Sequence, residues 1–215
     1  MCAREYPVRA DQLLPDVQME TVFMKRLLAA ILAVLAPATA QLTLPAMAEE
    51  AKMTERGLAV GAPIPALSVL THTGATATFD QLKGEKGLVV AFVRSADWCP
   101  FCKNQLKDLD TVAADLKARG YPLVALSYDP VKTLATFAEA NKLDYTLLSD
   151  PDSRTIDAFG LRNEEVRGNK RFNGIPHPAI FIIGADGVVK AKLYEERYQD
   201  RPPGKLVVAT IDGLR

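Results

Sequence analysis

Two patterns of apolar residues alternate along most of the chain. Short continuous apolar runs, typical of strands buried on both faces, occur at 88–93, 123–127 and 179–183. Between them, apolar positions recur every three or four residues, which predicts amphipathic helices over 100–119 and 129–141. Strands and helices in alternation predict an α/β protein with helices packed on a central mixed β-sheet.

Turn residues place a hairpin at each end of this pattern. Two short apolar stretches on either side of Gly74 predict an N-terminal β-hairpin over residues 67–79. The run at 179–183, followed by Asp186-Gly187 and a second strand over 188–194, predicts a closing hairpin. Four smaller features complete the prediction: a polar connector at 80–87, a short strand at 146–149, a short helix ending at 159–160 with Asp152 or Ser153 as its cap, and a last helix at 206–214.

The N-terminal 48 residues have the pattern of an extension followed by a signal peptide. Met24-Lys25-Arg26 precedes about ten uncharged, mostly apolar residues, a basic start and apolar core that are typical of secretory signals. Small residues allow cleavage after Ala40 or after Ala48, so the signal spans 24–40 or 24–48. We therefore expect an exported protein, periplasmic or secreted, with no stable membrane insertion once the signal is removed.

Residues 49–215 form the predicted folded domain, and their composition excludes some classes of partner. The whole chain has 26 basic and 26 acidic residues. A balanced surface has no net attraction for nucleic acid or anionic lipid, so we expect no nucleic-acid partner. The chain has three cysteines, and Cys2 lies in the N-terminal extension, where we assign it no role. Only Cys99 and Cys102 remain in the domain.

Cys99 and Cys102 are two residues apart, directly after a predicted buried strand and at the start of a predicted helix. A disulfide between them closes a very small loop and stabilises the fold weakly, which favours redox chemistry over a structural role. The positive end of the helix stabilises a thiolate at Cys99. We therefore predict Cys99 as an exposed nucleophile and Cys102 as a partly buried resolving thiol. Pro100 removes one backbone donor, and Phe101 offers an apolar contact to a partner.

The segment Trp98-Cys99-Pro100-Phe101-Cys102 resembles the redox site of the thioredoxin-like superfamily. The wider pattern resembles its alkyl hydroperoxide reductase/thiol-specific antioxidant branch, the redoxins and peroxiredoxin-like proteins. The additional matches are a Gly-Ala-Pro-Ile-Pro lead-in at 61–65, Leu-Leu-Ser-Asp-Pro-Asp at 147–152, and Pro178 followed by the closing hairpin. The resemblance implies a thioredoxin-like fold over about 60–194 and an antioxidant oxidoreductase activity.

The resemblance also implies two further site residues. In thioredoxin-like proteins the proline before the closing hairpin is cis and packs against the redox pair, and Pro178 occupies that position. His177 would then lie close to Cys99 and could stabilise its thiolate or relay its proton. Trp98, directly before the pair, is either an ordinary core aromatic or, as is more common beside a redox pair, packs over the sulfurs.

The chain departs from peroxiredoxins proper at two positions. Those proteins activate the peroxidatic cysteine with a threonine three residues earlier and with a distant arginine. Here the first position is Ala96, and Pro178 occupies the place of the arginine near the hairpin. Ser95 and Arg94 are nearby candidates for the missing hydrogen bonds to a peroxide. These departures favour thiol–disulfide exchange over peroxide reduction.

The sequence leaves three alternatives open for the pair. A tetrahedral metal site could use Cys99, Cys102, His72 and His177, although no second closely spaced ligand pair supports it. The Cys-Pro-Phe-Cys sequence also resembles glutaredoxins, which bind glutathione. Finally, the disulfide could be structural in a non-catalytic redoxin domain that acts as a binding module.

The sequence therefore predicts a thiol–disulfide oxidoreductase, with a thiol peroxidase as the alternative. In the alternative, Cys99 reduces a hydroperoxide and Cys102 captures the resulting sulfenic acid. The substrate would be a disulfide-containing protein or a hydroperoxide, and a thiol reductant would reopen the disulfide. No signature of a metal, nucleotide or flavin cofactor is present in the sequence.

Overall fold

A computed structural model describes residues 56–214, all of which belong to the compact unit Glu49–Arg215. The predicted N-terminal extension and signal peptide lie outside the described residues. The strands are β1 (Ser68–Thr71), β2 (Thr76–Thr78), β3 (Gly87–Phe92), β4 (Leu123–Ser127), β5 (Thr146–Ser149), β6 (Ala179–Gly184) and β7 (Val189–Leu193). The helices are α1 (Phe79–Leu82), α2 (Pro100–Ala118), α3 (Val131–Asn141), α4 (Arg154–Ala158) and α5 (Gly204–Gly213), with a 3₁₀ turn at Glu164–Val166.

The seven strands form one mixed sheet in the order β2-β1-β5-β4-β3-β6-β7. Strands β3, β4 and β5 are parallel, because α2 and α3 carry the chain back between them. The two hairpins add antiparallel strands on either side, β1 against β5 and β6 against β3. The C-terminal ends of β3 and β4 therefore lie side by side at one edge of the sheet, where the redox pair is found.

Alternate residues of β3 face two separate hydrophobic layers. Val89 and Ala91 join the layer that packs against α2, α3 and α5. Val90 and Phe92 face the opposite layer, where Phe92 contacts the rings of Phe159 and Phe181 at 4.8 and 5.7 Å. Every residue of β3, β4 and β6 is buried, as the continuous apolar runs predicted. The central sheet is thus covered on both faces.

Most element boundaries agree with those predicted from the sequence. Helix α2 begins at Pro100, and Gly120 follows its end with a φ of +82°, the conformation expected of a helix-terminating glycine. Gly74 turns the first hairpin with a φ of +86°. The strand predicted at 188–194 is shorter than expected, Val189–Leu193. Helix α1 is an addition to the prediction, which has a polar connector over 80–87.

The predicted cap of α4 differs from the observed one. Ser153 is at the N-cap, but its side chain forms no capping hydrogen bond and instead donates to the carbonyl of Gly174. The carboxylate of buried Asp150 accepts hydrogen bonds from the amides of Arg154 and Ile156. Asp150 can reach these amides because it follows β5, whose end is directed at the first turn of α4.

No helix in the described range 56–214 is long and apolar enough to cross a membrane. The apolar segment of the predicted signal lies outside this range.

Candidate active site

The two cysteines lie where β3 has ended and α2 begins. The chain leaves the sheet after Val93, crosses a short loop over 94–98, and enters α2 with Cys99 as the N-cap residue. The sulfur of Cys99 accepts a hydrogen bond from the backbone amide of Cys102 at 3.2 Å. A thiolate at Cys99 would be stabilised by this amide and by the positive end of the helix dipole.

Cys99 and Cys102 form a disulfide, with their Cα atoms 5.3 Å apart. Both residues are buried, Cys99 at 1% exposure and Cys102 at 0%. The expectation that Cys99 is exposed is therefore wrong for this oxidised form. Its sulfur turns inward to bond Cys102 and to accept the helix amide, so the exposed tip is formed by Pro100 and Phe101 instead.

A buried carboxylate holds the loop that leads to the pair. Asp129, which follows β4, accepts hydrogen bonds from the Ser95 hydroxyl at 2.8 Å and from the Ala96 amide at 2.7 Å. The Ser127 hydroxyl also donates to it at 2.8 Å. Burial raises the pKa of Asp129, and the hydrogen bonds oppose that shift. Asp129 therefore fixes the path of the chain just before Trp98 and Cys99.

This arrangement decides the roles of two residues considered from the sequence. The hydroxyl of Ser95 donates to Asp129 and accepts from the amide of Asp97, so it is occupied within the loop. Ala96 is buried in the apolar layer at 3% exposure. The hydroxyl of Ser95 is therefore not free for a substrate at Cys99, and Ala96 has only a methyl group at that place.

Trp98 connects the pair to the loop that precedes β6. Its indole N–H donates to the hydroxyl of Tyr128 at 2.9 Å, and that hydroxyl donates to the carbonyl of Arg171 at 2.8 Å. The ring of Phe172 packs against the indole at 4.7 Å. Burial raises the pKa of Tyr128, which keeps the phenol protonated as a donor. Trp98 therefore anchors the 163–174 loop beside the redox pair.

Arg94 lies between two aromatic rings at the site. Its guanidinium carbon is 4.9 Å from the ring centroid of Trp98 and 4.4 Å from that of Tyr198. The Nε atom is buried without a hydrogen-bond partner among the described residues. Tyr198 in turn packs edge-to-face on Phe101, with centroids 6.1 Å apart. Cation–π contacts thus hold the positive charge of Arg94 beside Trp98, the residue before Cys99.

A second arginine contacts the pair directly. The Nη2 atom of Arg201 is 3.6 Å from the sulfur of Cys102, across a sequence separation of 99 residues. Burial, followed by repulsion from Arg94, lowers the pKa of Arg201 to about 10. The guanidinium of Arg201 therefore lies at the disulfide, and Arg94 is close enough to repel it.

A groove of about 290 Å³ runs beside the pair, between α2 and the segment after β7. Its walls include Phe101, Gln105, Arg201 and the prolines at 202–203. The side-chain oxygen of Gln105 is buried and has no partner among the described residues. Exposed Phe101 and Tyr198 form an aromatic rim next to this groove.

The bond before Pro178 differs from the one that the resemblance implied. No peptide bond within 56–214 is cis, so the bond before Pro178 is trans. The chain approaches β6 in an extended path, with Pro176 paired to Arg162 and the His177 amide bonded to the Leu161 carbonyl at 2.7 Å. That pairing accommodates a trans bond. The cis expectation for Pro178 is wrong.

His177 is half-buried, and no hydrogen bond joins it to either sulfur in the described part of the chain. Burial lowers the pKa of His177, and the charges of Arg56 and Arg94 lower it further. The imidazole is therefore neutral near pH 7 and cannot provide a positive charge to a thiolate.

The four residues considered for a metal site do not meet. The Nδ1 atom of His72 accepts the amide of Leu147 beside β5, and both cysteine sulfurs are consumed in the disulfide. Within residues 56–214 there is no cluster of three or more metal-ligating side chains.

Sequence reasoning missed Asp129 and Arg201. Asp129 lies just beyond the end of an apolar strand, after Tyr128, and the side-by-side ends of β3 and β4 offered a signal for it. No comparable signal marks Arg201, which reaches Cys102 only because the segment after β7 passes over the start of α2. Asp97, the acid nearest to the pair in the sequence, is exposed.

A mixed sheet with a Cys-x-x-Cys disulfide at the start of the helix after β3 defines a thioredoxin-like redox protein. A sequence model of the AhpC/TSA family matches residues 60–192. The chain belongs to this family, and it is a peroxiredoxin-like oxidoreductase.

Curated relatives and solved structures agree with this assignment. Peroxiredoxin Bcp of Escherichia coli is 30% identical over 133 residues, which cover 62% of this chain and 83% of the relative. The crystal structure of peroxidoxin BcpB from Mycobacterium tuberculosis aligns with a TM-score of 0.64 at 23% identity, covering 75% of this chain and 99% of that one. Peroxiredoxin Q from Xanthomonas campestris aligns with a TM-score of 0.58 at 20% identity, covering 68% and 90%. The two structures share the fold with this chain.

Proposed function

We propose that this protein is a thiol-dependent peroxidase whose redox pair is Cys99 and Cys102. The observation that carries the proposal is the disulfide between them at the start of α2, which is the product that such a cycle leaves. Membership of a family that includes peroxiredoxin Bcp favours a hydroperoxide as the oxidising substrate.

The proposed cycle needs three steps. The thiolate of Cys99 attacks one oxygen of the hydroperoxide, the O–O bond breaks, and the departing alkoxide or hydroxide takes a proton. Cys99 is then a sulfenic acid, which the thiol of Cys102 attacks to form the disulfide and release water. A thiol reductant returns both residues to thiols and is itself oxidised to a disulfide.

The surroundings of the pair support the first step. The Cys102 amide and the positive end of α2 favour a thiolate at Cys99. Arg94 and Arg201 add two positive charges that can stabilise the negative charge developing on the departing oxygen. These arginines would replace the one that Pro178 displaces from its usual position.

A second candidate is thiol–disulfide exchange with a protein substrate, and two observations favour it. The position that carries a threonine in peroxiredoxins has the buried methyl of Ala96, and the nearby Ser95 hydroxyl is held by Asp129. In addition, exposed Phe101 and Tyr198 rim a groove beside the disulfide, a surface that suits a polypeptide more than a peroxide.

Stopped-flow mixing of the reduced protein with hydrogen peroxide separates the two candidates. The peroxidase proposal expects rapid second-order oxidation that ends in the Cys99–Cys102 disulfide, and expects Cys99→Ser to abolish it. Slow oxidation by peroxides, combined with turnover of a protein disulfide such as that of insulin, would assign exchange instead. If Cys99→Ser retained the biological function, the binding-module alternative would gain support.

The proposal also includes export from the cytoplasm. The basic start, the apolar core and the small-residue ends over 24–48 support a cleaved signal. Cell fractionation combined with N-terminal sequencing of the purified protein would test this, and recovery of the uncleaved chain from the cytoplasm would contradict it.

A further inference from the structure

Arg201 approaches the redox pair from outside the two elements that carry it. It follows β7 in the segment before α5, and its Nη2 atom is 3.6 Å from the sulfur of Cys102. Its Nη1 atom donates to the backbone carbonyl of Asp200 at 2.7 Å, which fixes the guanidinium from the other side. Arg201 thus contacts the sulfur of Cys102, whereas the backbone amide of Cys102 donates to the sulfur of Cys99.

One neighbour of Arg201 opposes its positive charge and two favour it. Arg94 repels it, while Asp200 and Tyr198 are the nearby groups that favour its charged form. The carboxylate of Asp200 is bound by Arg197 at 2.9 and 3.1 Å. The Nε atoms of both Arg94 and Arg201 are buried without a partner among residues 56–214. In the oxidised enzyme the guanidinium of Arg201 faces a disulfide, which carries no charge.

Reduction changes this situation, because it creates a negative charge at the same place. A thiolate at Cys102 would lie against the guanidinium of Arg201 in a buried site, where opposite charges attract more strongly than in water. Such a contact stabilises the state in which the disulfide has opened toward Cys102.

We propose that Arg201 is a catalytic residue of the reductive half of the cycle, which stabilises Cys102 as the leaving thiolate when a reductant opens the disulfide. This inference rests on the proposed function only in requiring that the pair be reduced by a thiol. It assigns a role to a residue that the sequence did not indicate.

The step balances as follows. The thiolate of a small or protein thiol attacks the sulfur of Cys99 and forms a mixed disulfide with it. The Cys99–Cys102 bond breaks, and its electron pair remains on Cys102 as a thiolate bound to Arg201. A second thiol of the reductant then displaces Cys99, and the two cysteines are left reduced while the reductant becomes a disulfide.

The first test maps which sulfur is released. The full chain with Cys2→Ser, so that only the pair contributes thiols, is mixed briefly with 2-mercaptoethanol and quenched in acid. The free thiol is then labelled with N-ethylmaleimide, and tandem mass spectrometry locates the label. We expect the label on Cys102 and mercaptoethanol on Cys99. The opposite distribution would overturn the proposal.

The second test measures the acidity of Cys102 by itself. In the reduced Cys2→Ser, Cys99→Ser protein, thiolate absorbance at 240 nm is followed against pH. Adding Arg201→Met should raise the pKa of Cys102 by about 1–3 units, the effect expected for removing a neighbouring opposite charge. Arg201→Lys should retain part of the effect, because it retains the charge.

A matched control removes an arginine from the same segment. Arg197 is exposed and paired with Asp200, so Arg197→Met should leave the pKa of Cys102 unchanged. An unchanged pKa in a folded Arg201→Met protein, or an equal shift in both variants, would overturn the proposal. If Arg201→Met does not fold, Arg201→Lys and the labelling of the natural arginine protein still decide it.

These tests are independent of the peroxidase proposal. The label distribution and the acidity of Cys102 are measured without any peroxide. Slow reaction with hydrogen peroxide would contradict the proposed function and leave the assignment of Arg201 standing. Rapid reaction with hydrogen peroxide, combined with an unchanged pKa of Cys102 in Arg201→Met, would support the proposed function and contradict the assignment of Arg201.

Discussion

The hydroxyl of Ser95 donates a hydrogen bond to the carboxylate of Asp129 at 2.8 Å, joining the loop before the redox pair to the end of β4. The same carboxylate accepts the amide of Ala96, so two consecutive residues of the loop depend on one buried acid. The position of Trp98 and Cys99 is thus determined by a group 30 residues away in the sequence. This relationship allows the loop to be tested without touching either sulfur.

Asp129→Ala should destabilise the protein by about 2–4 kcal/mol, because it leaves the buried donors of Ser95, Ala96 and Ser127 without an acceptor. The free energy of unfolding from urea denaturation measures this. Asp97→Ala, which changes an exposed acid of the same loop, is the control and should have little effect. Equal destabilisation by the two substitutions would contradict the role of Asp129.

His177 should make the protein less stable below about pH 6.5, the ordinary pKa of histidine. Its pKa is lowered in the folded state, so between the two pKa values the unfolded chain binds more protons than the folded one. The contribution of His177 to stability is therefore present above pH 6.5 and is lost as the pH falls toward the lower folded pKa.

Replacing His177 with Gln should flatten this pH dependence in denaturation experiments between about pH 5 and 7. The rate at which peroxide oxidises the reduced pair should not change, since no hydrogen bond joins His177 to a sulfur in the described residues. A large loss of that rate would instead support the contact between His177 and Cys99 that the resemblance implied.

Trp98 should report the redox state of the pair by its fluorescence. It is the only tryptophan in the chain and directly precedes Cys99. A disulfide next to an indole quenches its emission, so reduction by dithiothreitol should increase the intensity. Cys102→Ser, which cannot form the disulfide, should lose this response, and Cys2→Ser should keep it. A response that persists in Cys102→Ser would show that the signal comes from elsewhere.

Gly87→Ala should destabilise the fold by roughly 3 kcal/mol or more. Gly87 begins β3 with a φ of +152°. An added Cβ would lie 2.8 Å from the ring of Tyr121 and would overlap the carbonyl oxygen of Ile183. Thermal and urea denaturation measure the loss. Gly168→Ala, in an open part of the 163–174 loop, is the control and should change stability by no more than about 0.5 kcal/mol.

Elements with a strong local pattern were predictable. The strands β4 and β5 begin and end at the predicted residues, because continuous apolar runs bounded by turn residues determine them. The start of α2 at Pro100 and its end before Gly120 also follow from local conformational preferences. Helix α1 was not predicted because four residues are too short to show a helical period.

Features that depend on the meeting of distant segments were not predictable. The sequence predicts Asp152 or Ser153 as the cap of α4, whereas Asp150 provides it, because the direction in which β5 ends decides which carboxylate reaches the helix. The cis bond expected before Pro178 came from the resemblance, and the structure has the ordinary trans bond there. Local sequence contains no information on the direction in which β5 ends.

The sequence by itself determined that two cysteines would lie at a strand-to-helix junction in an α/β protein of the thioredoxin type. Spacing and periodicity are local properties, and they suffice for that conclusion. Only the tertiary structure decided what surrounds the sulfurs, because the order of strands brings Asp129 to the loop and the segment after β7 brings Arg201 to Cys102. The electrostatic environment of a thiol is the sum of charges close in space, and the most direct of these contacts spans 99 residues of chain.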